Sequence, residues 1–525
     1  LWHHLRLDGG AAVIALTAYG LSLYLNTLGE QLDIGTKTLF SAPLTIVASI
    51  FLIIGILILF LRLFPFLLRL GAWFTARRRG AAPMLALAQL ARSPRYATRM
   101  TLLLALAIAF AIFSLVFSAS QVQHVADISG YEAGADFSGD IAHDTDHLSL
   151  QEETTLYSTV PGVTSATVGF TAEGFALGTS PAVPVQIRTV DTDTFGRTAI
   201  WTSQDSPQPL ASLLAQLVAR RNQAIKARVV PAIIDAASVN ELSLAVGAPF
   251  TINISSLPYN ILNCVVVAEV QHIPTVNSSA GAGNTGSASS PGGILLDYAT
   301  YAAVYRGNIQ DNRLKANPIL PFNHVWLRTI NDPAAVAHVR AALETKDLLL
   351  DNLSDRRMLS NALRSDPLFL NLMAFFTLGA ITALLLALLA DLLACWLSVR
   401  TRLTNFAVLR AQGATPQQTA NVLTWEQGIV HATALLLGGA VGAVLSVTTV
   451  PALIFTNIPV GGVLSNVSNS EFYIIQQVVP PQIIVPASLG IVLLMLLVVF
   501  VVALVTMVWI ALRPPPGQAL RLNED

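Results

Sequence analysis

Six runs of apolar residues, each long enough to cross a lipid bilayer as a helix, constrain this chain more than any other feature. They occupy residues 11–29, 42–63, 100–120, 367–399, 428–453 and 483–512. A hydrocarbon core of about 30 Å needs roughly 20 helical residues. Charged residues make up only 12% of the 525 residues, whereas soluble domains usually contain about 25%. The sequence therefore predicts an integral membrane protein.

A long stretch without such a run, residues 121–366, separates the third run from the fourth. Short β-rich segments such as PVQIRTVD alternate there with segments of helical spacing such as DPAAVAHVRAALETK. We predict one large mixed α/β domain with a flexible loop at NSSAGAGNTGSASSPGG. The predicted domains are two transmembrane helices in 1–80, an amphipathic helix and a transmembrane helix in 81–120, the α/β domain in 121–366, and three transmembrane helices in 367–525.

Basic residues are distributed unevenly over the loops, and this asymmetry predicts the orientation. Arginines concentrate between the second and third runs, between the fourth and fifth, and in the tail, whereas the loop after the first run has only Lys37. Cytoplasmic loops carry the excess of Lys and Arg, so both termini are predicted to be cytoplasmic and the α/β domain extracytoplasmic. Residues 82–96 are predicted to form an amphipathic helix on the cytoplasmic membrane surface, and residues 354–365 a short helix resting on the outer leaflet.

The connection between the fourth and fifth runs is more elaborate than a simple loop. The helix that leaves the membrane carries Arg400, Arg402 and Arg410, and the residues Gly-Ala-Thr-Pro then separate it from a second polar helix, PQQTANVLTWE. Thr415 is placed to cap this second helix, with Pro416 at its first position. A structured connection of this kind transmits force better than a flexible loop, so we expect it to bind a partner protein.

Motifs that would indicate catalysis or a bound cofactor are missing. The sequence has no G-x-x-x-x-G-K-[ST] phosphate-binding loop, no H-E-x-x-H, no paired C-x-x-C and no G-x-S-x-G. His3 and His4 could bind a metal ion, but a solvated or interfacial pair is the favoured interpretation. Cys264 and Cys395 should lie far apart, so no disulfide is expected. We predict no catalytic residue, no metal site and no cofactor, and no basic aromatic patch indicates nucleic acid.

Two carboxylates and a glycine cluster lie in or beside the apolar runs. A carboxylate in a membrane segment is a functional candidate, yet Asp391 lies near a cytoplasmic end, where a structural or interfacial position is favoured. Glu426, which joins the connection to the fifth run, is equally compatible with either role. The spacing of Gly438 and Gly442, with Gly439 between them, permits close helix packing. Packing within the chain is favoured over an intermolecular dimer contact.

The run VRTRLTNFAVLRAQGATPQQTANVLTWEQGIVHATALLLGGAVGAVLS resembles FtsX-like permeases, the permeases of MacB-type ABC transporters. In that family the segment around A-V-L-R-A-Q-G-A-T is the coupling helix that binds the ATPase subunit, which corresponds here to residues 406–415. The acidic residue that the family often has near Asn405 or Phe406 is absent. The resemblance implies ATPase-coupling roles for Phe406, Leu409, Arg410, Gly413, Ala414, Thr415 and Glu426.

The resemblance extends from about residue 82 to the end as one permease unit, with one crossing, a large outer domain and three further crossings. The first two runs resemble the linker pair between the two units of ten-helix members. The sequence starts at Leu1 without signal-peptide features, so we expect the C-terminal half of a longer permease. The predicted fold class is an α-helical integral membrane protein with about six transmembrane helices and a large mixed α/β extracytoplasmic domain.

The function that the resemblance implies is mechanotransmission by a permease subunit of an ABC transporter complex. ATP hydrolysis would belong to a separate ATPase subunit, so the chain itself is not expected to be an enzyme. The implied partners are that ATPase, a second permease half or a second copy, and membrane lipid. An alternative is a membrane receptor or sensor with an extracytoplasmic ligand-binding domain, although its cytoplasmic loops are short for an output module. A membrane-anchored outer enzyme is a third class, against which the missing catalytic motifs argue.

Overall fold

The structure, a computed structural model, describes most of the chain from residue 81 onward. The described residues are 81–92, 94–145, 148–178, 182–254, 256–257, 261–276, 292–311, 320–411, 413, 415–454 and 478–512, together with scattered residues between 13 and 73. They form two compact units. The helical unit falls within 1–123, 370–455 and 481–525, and the α/β unit falls within 124–369 and 456–480.

Twelve helices and nine strands are described in full. In chain order they are α1 (Ala81–Arg92), α2 (Pro94–Ala133), β1 (Phe137–Ile141), α3 (Leu150–Ser158), β2 (Val163–Leu177), β3 (Val183–Val190), α4 (Thr192–Thr198), α5 (Leu210–Ala227), β4 (Val230–Asp235), α6 (Ala236–Leu242), β5 (Pro249–Ile254), β6 (Ile261–Val270), β7 (Gly292–Asp297), α7 (Tyr298–Asp311), β8 (His324–Thr329), α8 (Pro333–Leu343), β9 (Leu350–Asp355), α9 (Arg356–Arg364), α10 (Pro367–Ala411), α11 (Pro416–Leu453) and α12 (Ser488–Leu512).

Four of the described helices are long and apolar enough to cross a membrane. Their apolar stretches are Ala97–Ala133 in α2, Pro367–Leu389 in α10, Gln417–Leu453 in α11 and Ser488–Thr506 in α12. The first two predicted runs fall mostly outside the described residues. Helices of membrane length combined with a mixed α/β domain confirm the predicted class of fold, a helical membrane protein with a large α/β domain.

The helix α2 lies at the centre of the helical unit. Its most apolar window is 67% buried, against 33% for α11, 17% for α12 and 11% for α10. Phe113 and Phe117 of α2 contact Phe376 of α10, with ring centroids 5.4 and 4.6 Å apart. The Ser114 hydroxyl donates a hydrogen bond to the Phe376 carbonyl oxygen at 2.9 Å. The other three helices therefore pack around α2 and leave much of their own apolar surface exposed, as expected for surface in contact with lipid.

A mixed nine-stranded sheet organises the α/β unit. Its order is β3-β7-β4-β6-β5-β2-β8-β1-β9, and an additional pairing of β2 with β3 closes the first six strands into a ring. Two pairs in the ring, β3 with β7 and β4 with β6, are parallel, and the others are antiparallel. Closure leaves these strands without a long open edge, which is the usual site of unwanted strand pairing. The strands β8, β1 and β9 extend the sheet outward from β2.

The strand β2 connects the ring to this extension because it is long enough to serve both. It has 15 residues, of which residues 163–169 pair with β8 and residues 169–176 pair with β3. The edge of its first half that faces away from β8 is covered by α4. There the hydroxyl groups of Thr167 and Thr194 lie 2.6 Å apart. One strand thus joins two parts of the sheet into a single hydrogen-bonded structure.

Trp326 of β8 anchors the helices that cover this face of the sheet. It is only 1% exposed, and its ring meets Phe195 of α4 edge to face, with centroids 5.5 Å apart. Leu213 and Leu214 of α5 belong to the same buried cluster. Burial of such a large aromatic side chain makes a major contribution to the stability of the unit.

The local sequence predicts most of these elements. The β-rich segment PVQIRTVD forms β3, the helical segment DPAAVAHVRAALETK forms α8, and the predicted short helix at 354–365 forms α9. The strands β1 and β9 are not predicted, because FSGDI has the β-branched and aromatic residues that favour strands only at its two ends, Phe137 and Ile141, and LDNLSD has none of them. The predicted flexible loop at NSSAGAGNTGSASSPGG lies almost wholly outside the described residues.

One placement predicted from the sequence needs correction. The helix α9 forms at the expected position, but its apolar face does not rest on a leaflet. Leu359 and Leu363 are 2% and 1% exposed, and they lie in one cluster with Val125 and Ile128 of α2. The amphipathic pattern of this helix therefore reflects contact with protein.

Truncation of Trp326 tests this description of the α/β unit. We expect Trp326→Ala to cost about 3–5 kcal/mol, because it opens a large cavity under α4 and α5. Hydrogen exchange of the β2 and β8 amides in the full chain measures the loss. Ile330, just after β8, is 52% exposed, so Ile330→Ala is the matched control and should leave exchange nearly unchanged. Equal effects of the two substitutions would contradict the assigned core.

Candidate functional site: a capped turn between two long helices

The helix α10 continues far beyond its apolar stretch. Its 45 residues correspond to a length of about 68 Å at 1.5 Å per residue, roughly twice the thickness of a hydrocarbon core. Phe406, Leu409 and Arg410, the predicted coupling residues, lie in its last two turns. Asp391 lies on the same helix, just past the stretch Pro367–Leu389. The side chains of these four residues lie outside the described part of the structure, so their predicted roles stay predictions.

The turn after α10 depends on Gly413. Its φ angle is +97°, a conformation that side-chain-bearing residues avoid and glycine adopts readily. No heavy atom lies within 4 Å of the position that a Cβ would occupy. The requirement for glycine here comes from the backbone angle and not from crowding. Ala414, the next predicted coupling residue, lies outside the described residues.

Thr415 starts α11 with a complete capping box. Its hydroxyl accepts a hydrogen bond from the Gln418 backbone N–H at 3.3 Å, and the Thr415 N–H donates to the Gln418 side-chain oxygen at 3.0 Å. Pro416 occupies the first turn, where its missing N–H is not needed. The cap at Thr415 that the sequence predicts is therefore present. Gly413 and the capping box thus set the described backbone on either side of residue 414.

Glu426 lies on a buried face of α11, about three turns after the cap. It is only 2% exposed, and its neighbours Leu423 and Gln427 are 2% and 4% exposed. One turn further on, Val430 packs with Leu90 of α1. Residues 82–92 of the predicted amphipathic helix form α1, which contacts α11, whereas residues 94–96 belong to α2. The first turns of α11 are held by protein on one side, which positions the capped turn.

His431 is a polar residue of this region that the sequence analysis does not single out. It is 8% exposed, and its Nδ1 lies 2.7 Å from the Gln427 carbonyl oxygen. Because a carbonyl oxygen only accepts, Nδ1 carries the proton in this contact. The ring also contacts Phe500 of α12, with centroids 4.4 Å apart. The spacing of Gln427 and His431, four residues apart on one helix, is the signal that could have indicated a shared face.

The glycine cluster of α11 brings this helix close to α2. A Cβ added at Gly438 would lie 2.7 Å from the Ala105 carbonyl oxygen and 2.8 Å from Cβ of Ile108. One added at Gly442 would lie 3.0 Å from Cβ of Ile112. In contrast, nothing lies within 4 Å of a Cβ added at Gly439. Two of the three glycines thus lie against another helix of the same chain.

The α/β unit contains one histidine–carboxylate pair that could suggest catalysis. Nδ1 of His324 lies 2.7 Å from Oδ1 of Asp140, and Asn352 donates to Oδ2 at 3.0 Å. Burial lowers the pKa of His324, and Asp140 only partly offsets this effect. Burial acts to raise the pKa of Asp140, but the hydrogen bonds from His324 and Asn352 outweigh it and lower that pKa. In this pair Asp140 orients the imidazole ring of His324, and burial favours the neutral form of that ring.

A nucleophile is missing from that pair in the described structure. No hydrogen-bond partner meets Nε2 of His324, so no hydroxyl or thiol is in place beside it. Cys264, the cysteine of this unit, is fully buried, and burial raises the pKa of its thiol, which makes it unreactive. Among the described residues, no group of three His, Cys, Asp or Glu side chains could hold a metal ion. His3 and His4 lie outside these residues.

Comparison with known proteins identifies the region around the capped turn. Residues 377–516 match the family described as FtsX-like permease C-terminal. The match confirms the resemblance predicted from the sequence for this region. The matched residues include most of α10, the capped turn, α11 and all of α12. No curated protein matches the chain as a whole.

Two solved structures share features with the α/β part of the chain. The periplasmic region of MacB from Actinobacillus actinomycetemcomitans has a TM-score of 0.24 and 8% identity, covering 45% of this chain and 95% of that chain. The extracellular domain of the ABC-type transporter YknZ from Gram-positive bacteria has a TM-score of 0.21 and 7% identity, covering 40% of this chain and 97% of that chain. TM-scores this low do not establish a common fold.

The two neighbouring glycines of α11 provide a matched test of the α2–α11 contact. We expect Gly438→Ala to destabilise the helical unit by about 1–3 kcal/mol, because the new methyl group meets backbone atoms of α2. Gly439→Ala should be neutral or slightly stabilising, since alanine favours helix and the space is open. Thermal unfolding of the full chain in detergent measures both. A larger effect at Gly439 than at Gly438 would contradict the described packing.

Removal of the cap at Thr415 tests the rigidity of the turn. We expect Thr415→Val to cost about 1 kcal/mol, because the Gln418 backbone N–H loses its hydrogen bond to the Thr415 hydroxyl. Faster hydrogen exchange at Gln418 and Thr419 is the expected readout. The control is Thr424→Val, since the Thr424 hydroxyl bonds only to the Ala420 carbonyl oxygen within the helix. Unchanged exchange in Thr415→Val would mean that the capping box does not order the turn.

Proposed function

We propose that this chain is a permease subunit of an ABC transporter complex, and that a separate ATPase subunit binds the capped turn between α10 and α11. The observation that carries the proposal is the positive φ angle of Gly413 together with the capping box at Thr415, both of which lie inside the region matching FtsX-like permeases. In such permeases the corresponding segment is the coupling helix. Phe406, Leu409 and Arg410 would supply the contact surface, and Gly413 and Thr415 would fix its shape.

The physical basis for coupling is the stiffness of the elements that meet at the turn. Each of α10 and α11 is a single helix, of 45 and 38 residues, in which backbone hydrogen bonds link successive turns. A turn with a fixed glycine conformation and a capping box does not absorb displacement by local rearrangement. Movement imposed on the turn by an ATPase would therefore pass into both helices.

The proposed orientation follows from the basic residues. The excess of arginine in the loops between the second and third and between the fourth and fifth runs favours the cytoplasm for these loops and for both termini. The α/β unit is then extracytoplasmic. In this arrangement ATP hydrolysis by the partner would move the α/β unit and thereby extrude a lipid, peptide or lipoprotein substrate. The chain would act without catalysis of its own, in a complex with a second permease half or a second copy.

Co-purification of an ATPase provides the test. We expect the tagged full chain, isolated from membranes of its host, to retain an ATPase with a phosphate-binding loop. Leu409→Asp should weaken this association by at least about tenfold, which corresponds to the ~1.4 kcal/mol expected when one buried apolar contact is replaced by a carboxylate. Gly413→Pro should have a similar effect, because proline cannot adopt a positive φ angle.

The matched control places the same charge elsewhere. Val246 is 60% exposed in the α/β unit, so Val246→Asp adds an exposed carboxylate away from the turn and should leave ATPase association unchanged. Retention of the ATPase by both Leu409→Asp and Gly413→Pro would exclude the turn as its binding site. Failure of the unaltered chain to retain any ATPase, combined with ligand-dependent changes in the α/β unit, would instead favour a receptor.

A further inference from the structure

A buried ion pair joins the two points at which helices meet the outer strands of the sheet. The helix α2 ends at Ala133, shortly before β1, and α9 begins directly after β9. The carboxylate of Asp136, whose side chain is 7% exposed, accepts hydrogen bonds at Oδ1 from Nη2 and Nε of Arg356, at 2.8 and 3.1 Å. The Arg356 backbone N–H also donates to the Asp136 carbonyl oxygen at 3.1 Å. We call this contact the junction pair.

The second oxygen of Asp136 is also used. Oδ2 accepts hydrogen bonds from the Thr329 backbone N–H at 3.0 Å and from its hydroxyl at 3.4 Å. Arg357 lies slightly further away, with Nη1 3.7 Å from Oδ1. Because both carboxylate oxygens are paired, Asp136 is a fully satisfied buried anion. Removing Arg356 would leave this buried carboxylate to the more distant Arg357, which is more disruptive than losing a surface ion pair.

An apolar contact next to the junction pair also holds α9 against α2. Leu359 and Leu363 of α9 pack with Val125 and Ile128 of α2. Val479, in the segment that precedes α12, belongs to the same cluster. The end of α2 and the helix α9 are therefore connected by an ion pair at one level and by close apolar packing at another.

The connection from α9 to α10 is short. Only Ser365 and Asp366 separate the two helices, and their backbone N–H groups are hydrogen-bonded to Asn361 and Leu363 of α9. A displacement of α10 along its axis thus reaches α9 with little slack. The junction pair transmits this displacement from Arg356 to Asp136. From Asp136 the displacement reaches β1 and the end of α2.

We infer that the Asp136–Arg356 pair is the positioning contact that makes α2 and α10 move the α/β unit together. This inference rests on the proposed function, because it names the residues through which helix movement driven by an ATPase would reach the sheet. A sheet held by one helix alone could pivot about that attachment. Two helices fixed to neighbouring strands, β1 and β9, impose a definite displacement.

Distance measurements between spin labels test the inference in the full chain, reconstituted with its ATPase. One label pair, at Ala219→Cys of α5 and Ala440→Cys of α11, reports movement of the α/β unit. A second pair, at Leu386→Cys of α10 and Ala440→Cys, reports movement within the helical unit. All three positions carry exposed side chains. The background is Cys395→Ser, since Cys264 is fully buried and will not react with the label.

In the unaltered chain we expect both label pairs to change distance when a non-hydrolysable ATP analogue is added. In Arg356→Met the pair within the helical unit should still respond, and the response of the pair that includes the α/β unit should be lost. Exchange of the two charges, Asp136→Arg with Arg356→Asp, should restore part of that response. A full response of the α/β pair in folded Arg356→Met would overturn the inference.

The matched control removes an ion pair of similar burial elsewhere in the sheet. Arg221 and Asp297 are 29% and 1% exposed with a 2.9 Å contact, so Arg221→Met should leave both responses unchanged. If Arg356→Met does not fold, Asp136→Asn replaces it. The amide keeps the size of the side chain but removes the negative charge of the pair, and a full response there would equally overturn the inference. Absence of any response in the unaltered chain would instead overturn the proposed function.

Discussion

The need to pair every backbone polar group within the protein is the constraint on which this structure depends. Hydrocarbon offers no water to an unpaired N–H or C=O group, so the chain can cross it only as unbroken helix. The helices α2, α10 and α11 accordingly run for 40, 45 and 38 residues. The described breaks in regular structure fall at their ends, as at Gly134 and Gly413, whose φ angles are +62° and +97°. The described non-helical residues to which a function is assigned therefore lie at the ends of the long helices.

The two ends of α10 lie next to two different candidate sites. One end leads into the capped turn at Gly413 and Thr415, and the other follows α9 and its ion pair with Asp136. A continuous hydrogen-bonded helix of this length has no internal joint that would absorb displacement. The two sites that the structure singles out therefore belong to one mechanical element, although they are far apart in sequence.

The sequence predicts features that depend on local pattern and misses those that depend on distant pairing. The apolar runs indicate four of the described helices, and Thr415 with Pro416 indicates the start of α11, because these signals lie within a few residues of each other. Asp136 and Arg356 are 220 positions apart, and neither carries a local signal that distinguishes it from other charged residues. The glycines show the same division, since their spacing predicts a close helix contact but cannot identify α2 as the partner. The burial of α9 against α2 is likewise invisible to its amphipathic pattern, which would suit a lipid surface equally well.

The distribution of side chains on α11 argues for a membrane environment independently of any family match. In a soluble protein a helix buries its apolar face and exposes its polar one. Here the polar residues Glu426, Gln427 and His431 are 2%, 4% and 8% exposed, whereas Leu436 and Val447 are 73% and 62% exposed. Water would make this inverted arrangement costly, since it desolvates polar groups and leaves large apolar side chains unburied. In lipid both contributions to the free energy change sign. Lipid solvates the exposed leucine and valine side chains, and it makes polar groups that face outward unfavourable. The inverted pattern thus places the exposed apolar surface of α11 in lipid and its polar residues toward the neighbouring helices. This arrangement is the one required if the capped turn before α11 is to remain outside the bilayer.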